Sequence, residues 1–241
     1  MVLVVVAAWA AFRQFGDVIS DDWSEALVKL AFWVVPCAIA LRVWGARTYR
    51  DVGVELGLTG SVLRGLGFAL AASLPMLIAL SLSGSVRLVP VSILAGAVVV
   101  GPFAEEVLFR GWLFRQLSRR AGWPAMAAVL TSALAFGLAH LHNFNSYAFR
   151  TTELFDAISA TAAGVLFAWL VWRWDSLWPA VGLHAFMNLS WQLFGSPPLT
   201  ASPVTTDATT LATAGRLGTI LLAVALTLVL RRRGETQAMR Q

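Results

Sequence analysis

The amino-acid sequence predicts an all-α membrane protein, a polytopic bundle of about eight transmembrane helices. Of its 241 residues, 58% are hydrophobic and only 13% are charged, and the mean hydropathy is +0.73. The hydrophobic residues form long runs instead of alternating with polar ones, which is typical of helices that cross a bilayer. We therefore expect one membrane domain that covers residues 1–241.

Apolar runs follow one another along the chain, and short charged or turn-rich loops separate them. The first run has neither the basic start nor the cleavage site of a signal peptide, so we interpret it as a membrane span. Gly122 and Pro124 mark the turn after the fourth run, because glycine ends helices and proline starts them. The predicted spans cover residues 1–12, 26–44, 62–82, 89–113, 125–140, 154–172, 178–194 and 211–230.

The distribution of basic residues among the loops predicts the orientation of the chain. A net charge of +5 is compatible with nucleic-acid binding, but most arginines lie in loops that would share one side with both termini. Lys29 belongs to the smaller set of charges on the opposite side. We therefore expect both termini in the cytoplasm, and short loops without a targeting element favour a bacterial inner membrane. The single cysteine, Cys37, excludes an intramolecular disulfide and a cysteine metal cluster.

Two adjacent carboxylates and an arginine interrupt the fourth apolar run, at Glu105, Glu106 and Arg110. A charge at the centre of a membrane helix costs roughly 2.5 to 3.5 kcal/mol, so these groups need partners or a chemical role. Glu106 and Arg110 are four residues apart on one helix face, whereas Glu105 points about 100° away. We predict that Arg110 neutralises Glu106 and that Glu105 is left free to act as a general base for water. A buried ion-pair network that fixes helix packing is the alternative.

The predicted hairpin around Gly122 brings a histidine to the level of these carboxylates. Glu105 lies about 17 residues before the turn and His140 about 17 residues after it, so the two should meet at one depth. Phe136 shares a helix face with His140, and Gly137 would let another helix approach closely. His142 falls in the following loop, and we do not expect it in the site.

A second polar pair, His184 and Asn188, lies in the seventh apolar run. Because the two residues are four apart, one helix face carries both an imidazole and a carboxamide. These are the donors that stabilise negative charge developing on a carbonyl oxygen. Hydrogen bonding between helices is the alternative role for both side chains.

Three motifs, each on its own apolar run, carry a resemblance to a known family. The stretches Glu105-Glu-Val-Leu-Phe-Arg110, Phe136-Gly-Leu-Ala-His140 and His184-Ala-Phe-Met-Asn188 resemble the motifs of the CPBP family, and Ser176-Leu-Trp-Pro179 is also similar. This family of membrane proteases includes the CAAX prenyl endopeptidases and bacterial bacteriocin-processing or immunity relatives. The resemblance covers a catalytic core of residues 89–194, with flanking helices in residues 1–88 and 211–230.

The resemblance implies a glutamate-dependent intramembrane endopeptidase. In such an enzyme Glu105 and His140 would activate water, and His184 with Asn188 would stabilise the oxyanion of the tetrahedral intermediate. Glu106 and Arg110 would support the site. No cofactor is expected, although two histidines and two glutamates leave a zinc-dependent peptidase as an alternative mechanism. A non-catalytic scaffold, an immunity protein or a transporter is the alternative of a different class.

The expected partners are the lipid bilayer and a membrane-anchored protein or peptide substrate, with no nucleic acid. A C-terminal sorting tail, as cut by the relatives called myxosortases, and a leader or bacteriocin precursor are the favoured substrate classes. A prenylated C-terminus is the least favoured class, because the short loops and the lack of a targeting element resemble a bacterial architecture. Nothing in the sequence indicates a prenyl-binding groove either.

Overall fold

Every element in the described part of the chain is a helix, which confirms the all-α fold class. A computed structural model describes residues 22–44, 48–83, 88–141, 151–195, 210–211 and 213–225. The predicted first span, residues 1–12, and the loop residue His142 lie outside these ranges.

Helix α1 forms the second predicted span and begins earlier than the sequence suggested. It consists of Asp22–Lys29, a π-helical turn Leu30–Val34, and Val35–Val43. The predicted span starts at residue 26, whereas the helix starts at Asp22. Lys29 therefore lies inside a helix that packs against the carboxylate-bearing span, and not with the loop charges.

The connection after α1 contains a short helix, α2, Tyr49–Leu56, where the sequence predicted only a polar connection. Its start is held by a capping box, in which the Asp51 backbone N–H donates to Thr48 Oγ1 and the Thr48 N–H donates to Asp51 Oδ2. The helix ends at Gly57, whose φ of 78° lies in the left-handed region that glycine adopts without strain.

The third predicted span is a bent pair of helices, α3 (Val62–Ala72) and α4 (Leu74–Ser83), which meet at an angle of 50°. Pro75 follows the break, and because proline lacks an N–H it cannot continue the hydrogen-bond ladder of α3. By length and composition the pair could form one broken membrane span.

The remaining helices contain the candidate functional residues. Helix α5 runs from Val91 to Arg120, α6 covers Ala125–Ala139, α7 covers Thr151–Trp174, α8 covers Trp178–Ser190 with a π-helical extension Trp191–Gly195, and α9 covers Thr213–Ala225. Helix α7 includes the last three residues of the predicted loop 142–153, which were expected outside the helix.

Several of these helices are apolar enough to cross a membrane, which supports the prediction of a helical membrane bundle. Within the described ranges, α5 and the Asp156–Trp174 part of α7 satisfy length and composition by themselves, and the bent α3 and α4 do so together. Helices α6 and α9 are apolar but shorter. The total of about eight spans stays a prediction.

The three motifs lie on α5, α6 and α8, and each of these helices packs against at least two others. Helix α6 lies along α7, α8 packs against α3 and α7, and α1 packs against the first half of α5. Gly137 permits the close approach that the sequence predicted, since a Cβ there would lie 2.6 Å from the Ala157 carbonyl oxygen of α7. A run of aromatic contacts, Trp33 to Phe109 to Phe136 to Phe167, connects α1 to α7 through the core.

Candidate active site

Glu106 and Arg110 form a buried ion pair on α5, as their spacing predicted. Arg110 Nη1 donates to Glu106 Oε1 at 2.8 Å, and neither side chain is exposed. The guanidinium carbon also lies 4.1 Å from the ring centre of Phe136 and 5.2 Å from that of Phe167. The pair is therefore held within an aromatic shell, and cation–π contacts help to stabilise a charge that no water reaches.

Glu105 is not free, contrary to the prediction. Lys29 Nζ donates to Glu105 Oε1 at 2.7 Å, and this lysine comes from α1. Glu105 is 7% exposed, so each of the two adjacent carboxylates has its own cation, from α1 in one case and from α5 itself in the other. The sequence did not identify Lys29, because its only signal was a basic residue near the start of an apolar run.

His184 links the two carboxylates. Its Nδ1 lies 2.9 Å from Glu106 Oε1, and its Nε2 lies 3.6 Å from Glu105 Oε2. The Phe167 ring stacks on the imidazole at 5.0 Å, and Phe136 meets it edge-on at 5.6 Å. His184 thus contacts the carboxylate pair directly, whereas the sequence had grouped it only with Asn188.

His140 lies at the end of α6, where the helix stops at Ala139. Its Nδ1 is 2.8 Å from the Phe136 carbonyl oxygen, and the two rings are 4.6 Å apart. It also interacts electrostatically with Glu105. The placement of His140 at the same depth as Glu105 stays a prediction.

Asn188 connects α8 to α5. Its Nδ2 donates at 3.0 Å to the carbonyl oxygen of Ala97, which lies in a π-helical segment of α5, Leu94–Val100. A carboxamide nitrogen has two N–H donors. One N–H of Asn188 can therefore hold α8 to α5, and the second N–H can donate to another acceptor.

A cavity of about 280 Å³ opens next to these groups. Three predicted site residues line it: His140, His184 and Asn188. Glu105 is not among the lining residues, but its Oε2 lies 3.6 Å from Nε2 of His184, which does line the cavity. The remaining lining residues are Phe136, Asp156, Ser159, Ala160, Ala163, Phe167, Met187, Trp191 and Arg216.

The possible metal ligands of the site, its histidine nitrogens and glutamate oxygens, are not arranged around one zinc ion. In the described ranges, no three His, Cys, Asp or Glu side chains are arranged to bind one metal ion. His184 Nδ1 and Glu106 Oε1 are engaged with each other at 2.9 Å, and Glu105 Oε1 is engaged with Lys29. These residues therefore do not fit a zinc site as they are arranged here.

The comparison with known proteins agrees with the three motifs. Residues 87–190 match a family model described as type II CAAX prenyl endopeptidase Rce1-like. A probable CAAX prenyl protease 2 of Schizosaccharomyces pombe is 28% identical over 103 residues, which cover 38% of this chain and 36% of that protein. Residues 87–190 are thus similar to CAAX prenyl endopeptidases, which agrees with the resemblance to the CPBP family that the three motifs carry.

The match has definite limits along the chain. It includes Glu105, Glu106, Arg110, His140, His184 and Asn188, and it excludes Lys29 and Arg216. The chain spans about a third of the length of the curated relative that it matches. No solved structure matches the chain.

Proposed function

We propose that this protein is an intramembrane endopeptidase that hydrolyses a peptide bond in a membrane-associated protein or peptide. The observation that carries the proposal is the buried arrangement of Glu105, Glu106 and His184 beside a cavity that His140 and Asn188 also line. Ionisable groups within apolar helices are costly and usually serve chemistry. The family match of residues 87–190 supports the same reaction class.

In the proposed reaction, Glu105 takes a proton from a water molecule positioned with His140, and the hydroxide attacks the scissile carbonyl carbon. A tetrahedral intermediate forms, and its oxyanion accepts hydrogen bonds from His184 and Asn188. Collapse of the intermediate breaks the C–N bond, and the proton held by Glu105 passes to the leaving amine. Water is thereby divided between the new carboxyl group and the new amine.

The position of His184 adds a condition to this mechanism. Because its Nδ1 is within hydrogen-bond distance of the Glu106 carboxylate, the Nδ1 proton is directed to that residue. Its Nε2 can donate to an oxyanion only when it carries a proton too, so the oxyanion-stabilising form is the imidazolium. Before proton transfer, Lys29 and Arg110 balance the two carboxylates, so a charged His184 gives these five residues one net positive charge. Once Glu105 has taken the water proton, the net charge rises to two while the oxyanion is present.

The ion pairs also suit a competing function. Glu105 pairs with Lys29 and Glu106 with Arg110, which is the pattern of a structural network in a non-catalytic scaffold or immunity protein. A scaffold predicts that loss of Glu105 lowers stability and leaves the processing of every candidate substrate unchanged. The two functions are therefore separable by one variant.

Three substrate classes should be tested. A C-terminal sorting tail and a leader or bacteriocin precursor are favoured by the sequence, and the match to a CAAX prenyl protease family adds the prenylated C-terminus to them. Each candidate would be coexpressed with the wild type, Glu105→Ala, His140→Ala, or Glu55→Ala as a glutamate control outside the site. We expect cleavage to need Glu105 and His140 and to continue in the Glu55 variant.

A chelator test on the purified protein examines the zinc alternative. The glutamate mechanism predicts that cleavage survives EDTA and 1,10-phenanthroline, whereas a zinc peptidase would lose activity and regain it with added Zn²⁺. Unchanged cleavage by Glu105→Ala would contradict the proposed function itself.

A further inference from the structure

The lining of the active-site cavity includes charged side chains that the proposed chemistry does not use. Asp156 and Ser159 come from α7, Trp191 from the extension of α8, and Arg216 from α9. Arg216 lies outside residues 87–190, the segment that matches the family. Arg216 thus adds a positively charged side chain to the cavity from outside the matched segment.

Arg216 is held in a fixed position. Its Nε donates to Ser190 Oγ at 3.2 Å, and its guanidinium carbon lies 4.8 Å from the ring centre of Trp191. Ser190 is the last residue of α8, the helix that carries His184 and Asn188, and Trp191 begins its extension. The arginine is thereby fastened to the same helix as the proposed oxyanion donors.

The helix that carries Arg216 is itself packed closely onto α4. A Cβ on Gly215 would lie 3.0 Å from Met76 Cα, and one on Gly218 would lie 2.8 Å from Pro75 Cβ. Because α9 has little freedom to shift, the guanidinium keeps its place in the cavity wall.

The terminal nitrogens of Arg216 remain available. In the described part of the chain, the hydrogen bond to Ser190 uses Nε, and no hydrogen bond to either Nη is found. Asp156 also lines the cavity and interacts electrostatically with the guanidinium, but its side chain is exposed. Water screens an exposed carboxylate, so it offsets only part of the attraction for an anion.

We propose that Arg216 forms a carboxylate-binding subsite in the active-site cavity and selects peptide substrates with an acidic group near the scissile bond. This inference rests on the proposed function. The planar guanidinium presents paired N–H donors that match a carboxylate in a bidentate contact. In a peptide, the carboxylate belongs either to an acidic side chain or to the C-terminus, and both present the same group to Arg216.

Binding can be measured without cleavage by using the full chain with Glu105→Gln in lipid nanodiscs. The probes are fluorescent lipid-anchored peptides of one sequence, with either Asp or Asn at a single position and either a free or an amidated C-terminus. We expect roughly tenfold tighter binding of one acidic form, which is the size of effect that a charged hydrogen bond supplies. The position of the preferred acid distinguishes a side chain from a C-terminus.

Two substitutions, one that removes the positive charge of Arg216 and one that removes the negative charge of Asp156, then test the two residues separately. Arg216→Gln should remove the preference for the acidic probe, while Asp156→Asn should enlarge it, because the competing carboxylate is gone. The second variant changes an exposed side chain, so it tests the subsite even if Arg216→Gln disturbs folding. Arg173→Gln is the matched control, since Arg173 also lies over a tryptophan, 5.9 Å from the Trp172 ring centre, but outside the cavity.

Two results would overturn the subsite: equal binding of the acidic and neutral probes by the Glu105→Gln protein, or a preference that survives Arg216→Gln. Failure of the proposed function has a different signature. In that case the Arg216-dependent preference persists in binding, while cleavage by the otherwise unaltered chain does not depend on Glu105.

Discussion

At the scale of single residues, the site is a compensated set of four charges joined by a histidine. Lys29 and Arg110 each hold one of the adjacent carboxylates, and the contacts are 2.7 and 2.8 Å long. His184 then approaches both carboxylates from α8. Removal of any one charge should therefore affect stability as well as chemistry, because it leaves another charge buried without its partner.

A double-mutant cycle on Lys29 and Glu105 measures this dependence. Lys29→Met should lower the free energy of unfolding by about 3 to 5 kcal/mol, since it strands a buried carboxylate. The double variant Lys29→Met/Glu105→Gln should recover part of that loss, with a coupling energy of roughly 1 to 3 kcal/mol. Unfolding in mixed detergent micelles provides the measurement.

The control cycle uses Arg120 and Glu55, whose charged atoms are 3.8 Å apart and whose side chains are about one third exposed. Surface pairs of this kind contribute about 0 to 1 kcal/mol. Additive effects of the Lys29 and Glu105 substitutions would show that the observed contact contributes nothing to stability.

The roles of the two ring nitrogens of His184 can be distinguished by substitution. Asparagine places its nitrogen near the Nδ1 position and keeps a donor to Glu106, so His184→Asn should retain stability but lose cleavage by about 100-fold to 1,000-fold. Glutamine reaches the Nε2 position instead, so His184→Gln should lose roughly 1 to 3 kcal/mol of stability and retain more cleavage. The contrary ranking in thermal unfolding and cleavage assays would contradict the assigned contacts.

The contacts of the site differ in whether the sequence could predict them, and the difference follows from how far apart the two residues are along the chain. The Glu106–Arg110 pair follows from the helical repeat, and the sequence predicted it. The contacts Lys29–Glu105 and Glu106–His184 join residues 76 and 78 positions apart. A local sequence pattern does not predict which side chain of a distant helix will contact a carboxylate. These two contacts are therefore known only from the packing of the helices in the structure.

At the scale of helices, close approach between α5, α6 and α7 determines where the charges lie. Gly164 of α7 faces both neighbouring helices, since a Cβ there would lie 2.9 Å from Arg110 Nη2 and 3.0 Å from Ala133 Cα. A missing side chain on α7 thus makes room for the guanidinium of α5. The geometry of the Glu106–Arg110 pair therefore depends on helix spacing.

Substitution of this glycine tests the dependence. Gly164→Ala should destabilise the protein by about 1 to 3 kcal/mol, because the added methyl group displaces Arg110 or separates α6 from α7. It should also reduce cleavage. Gly67→Ala is the matched control, since a Cβ there meets nothing within 4 Å in the middle of α3, and it should stabilise by roughly 0.5 to 1 kcal/mol. Equal unfolding midpoints for the two variants would contradict this account.

The sequence predicted most helices, and its errors concern their ends and breaks. Thr48, Asp51 and Gly57 are the sequence signals of the limits of α2, but the polar and turn-forming residues of this stretch predicted only a polar connection. Pro75 likewise marked the break between α3 and α4 inside a continuous apolar run. In both places, capping and proline chemistry determined the helix limits, and hydrophobicity alone did not indicate them.

At the scale of the whole molecule, α5 is the longest candidate membrane span among the described residues, and exposed residues lie at both of its ends. Leu88 precedes its start and is fully exposed, and Arg119 near its end has a side chain that is 42% exposed. At about 1.5 Å per residue, the 30 residues of α5 are long enough to cross a bilayer. The predicted topology places the Arg119 end in the cytoplasm, where basic residues accumulate.

Cysteine labelling tests this orientation. Cys37 is the only cysteine of the chain and has no exposed surface, so the background reaction should be low. In intact cells with a permeable outer membrane, a membrane-impermeant maleimide should label Leu88→Cys at once. It should label Arg119→Cys only after the inner membrane is opened. The reverse order would invert the predicted topology.

The enclosure of Arg110 has a consequence for biogenesis. Ribosomes make α5 before α6, α7 and α8, yet Phe136, Phe167 and His184, which surround the buried pair, come from those later helices. A nascent chain that has reached only α5 therefore presents Glu105, Glu106 and Arg110 to lipid, at roughly 2.5 to 3.5 kcal/mol for each charge. Partition of α5 into the bilayer should accordingly wait for its successors, so that the helices leave the translocation channel as a group.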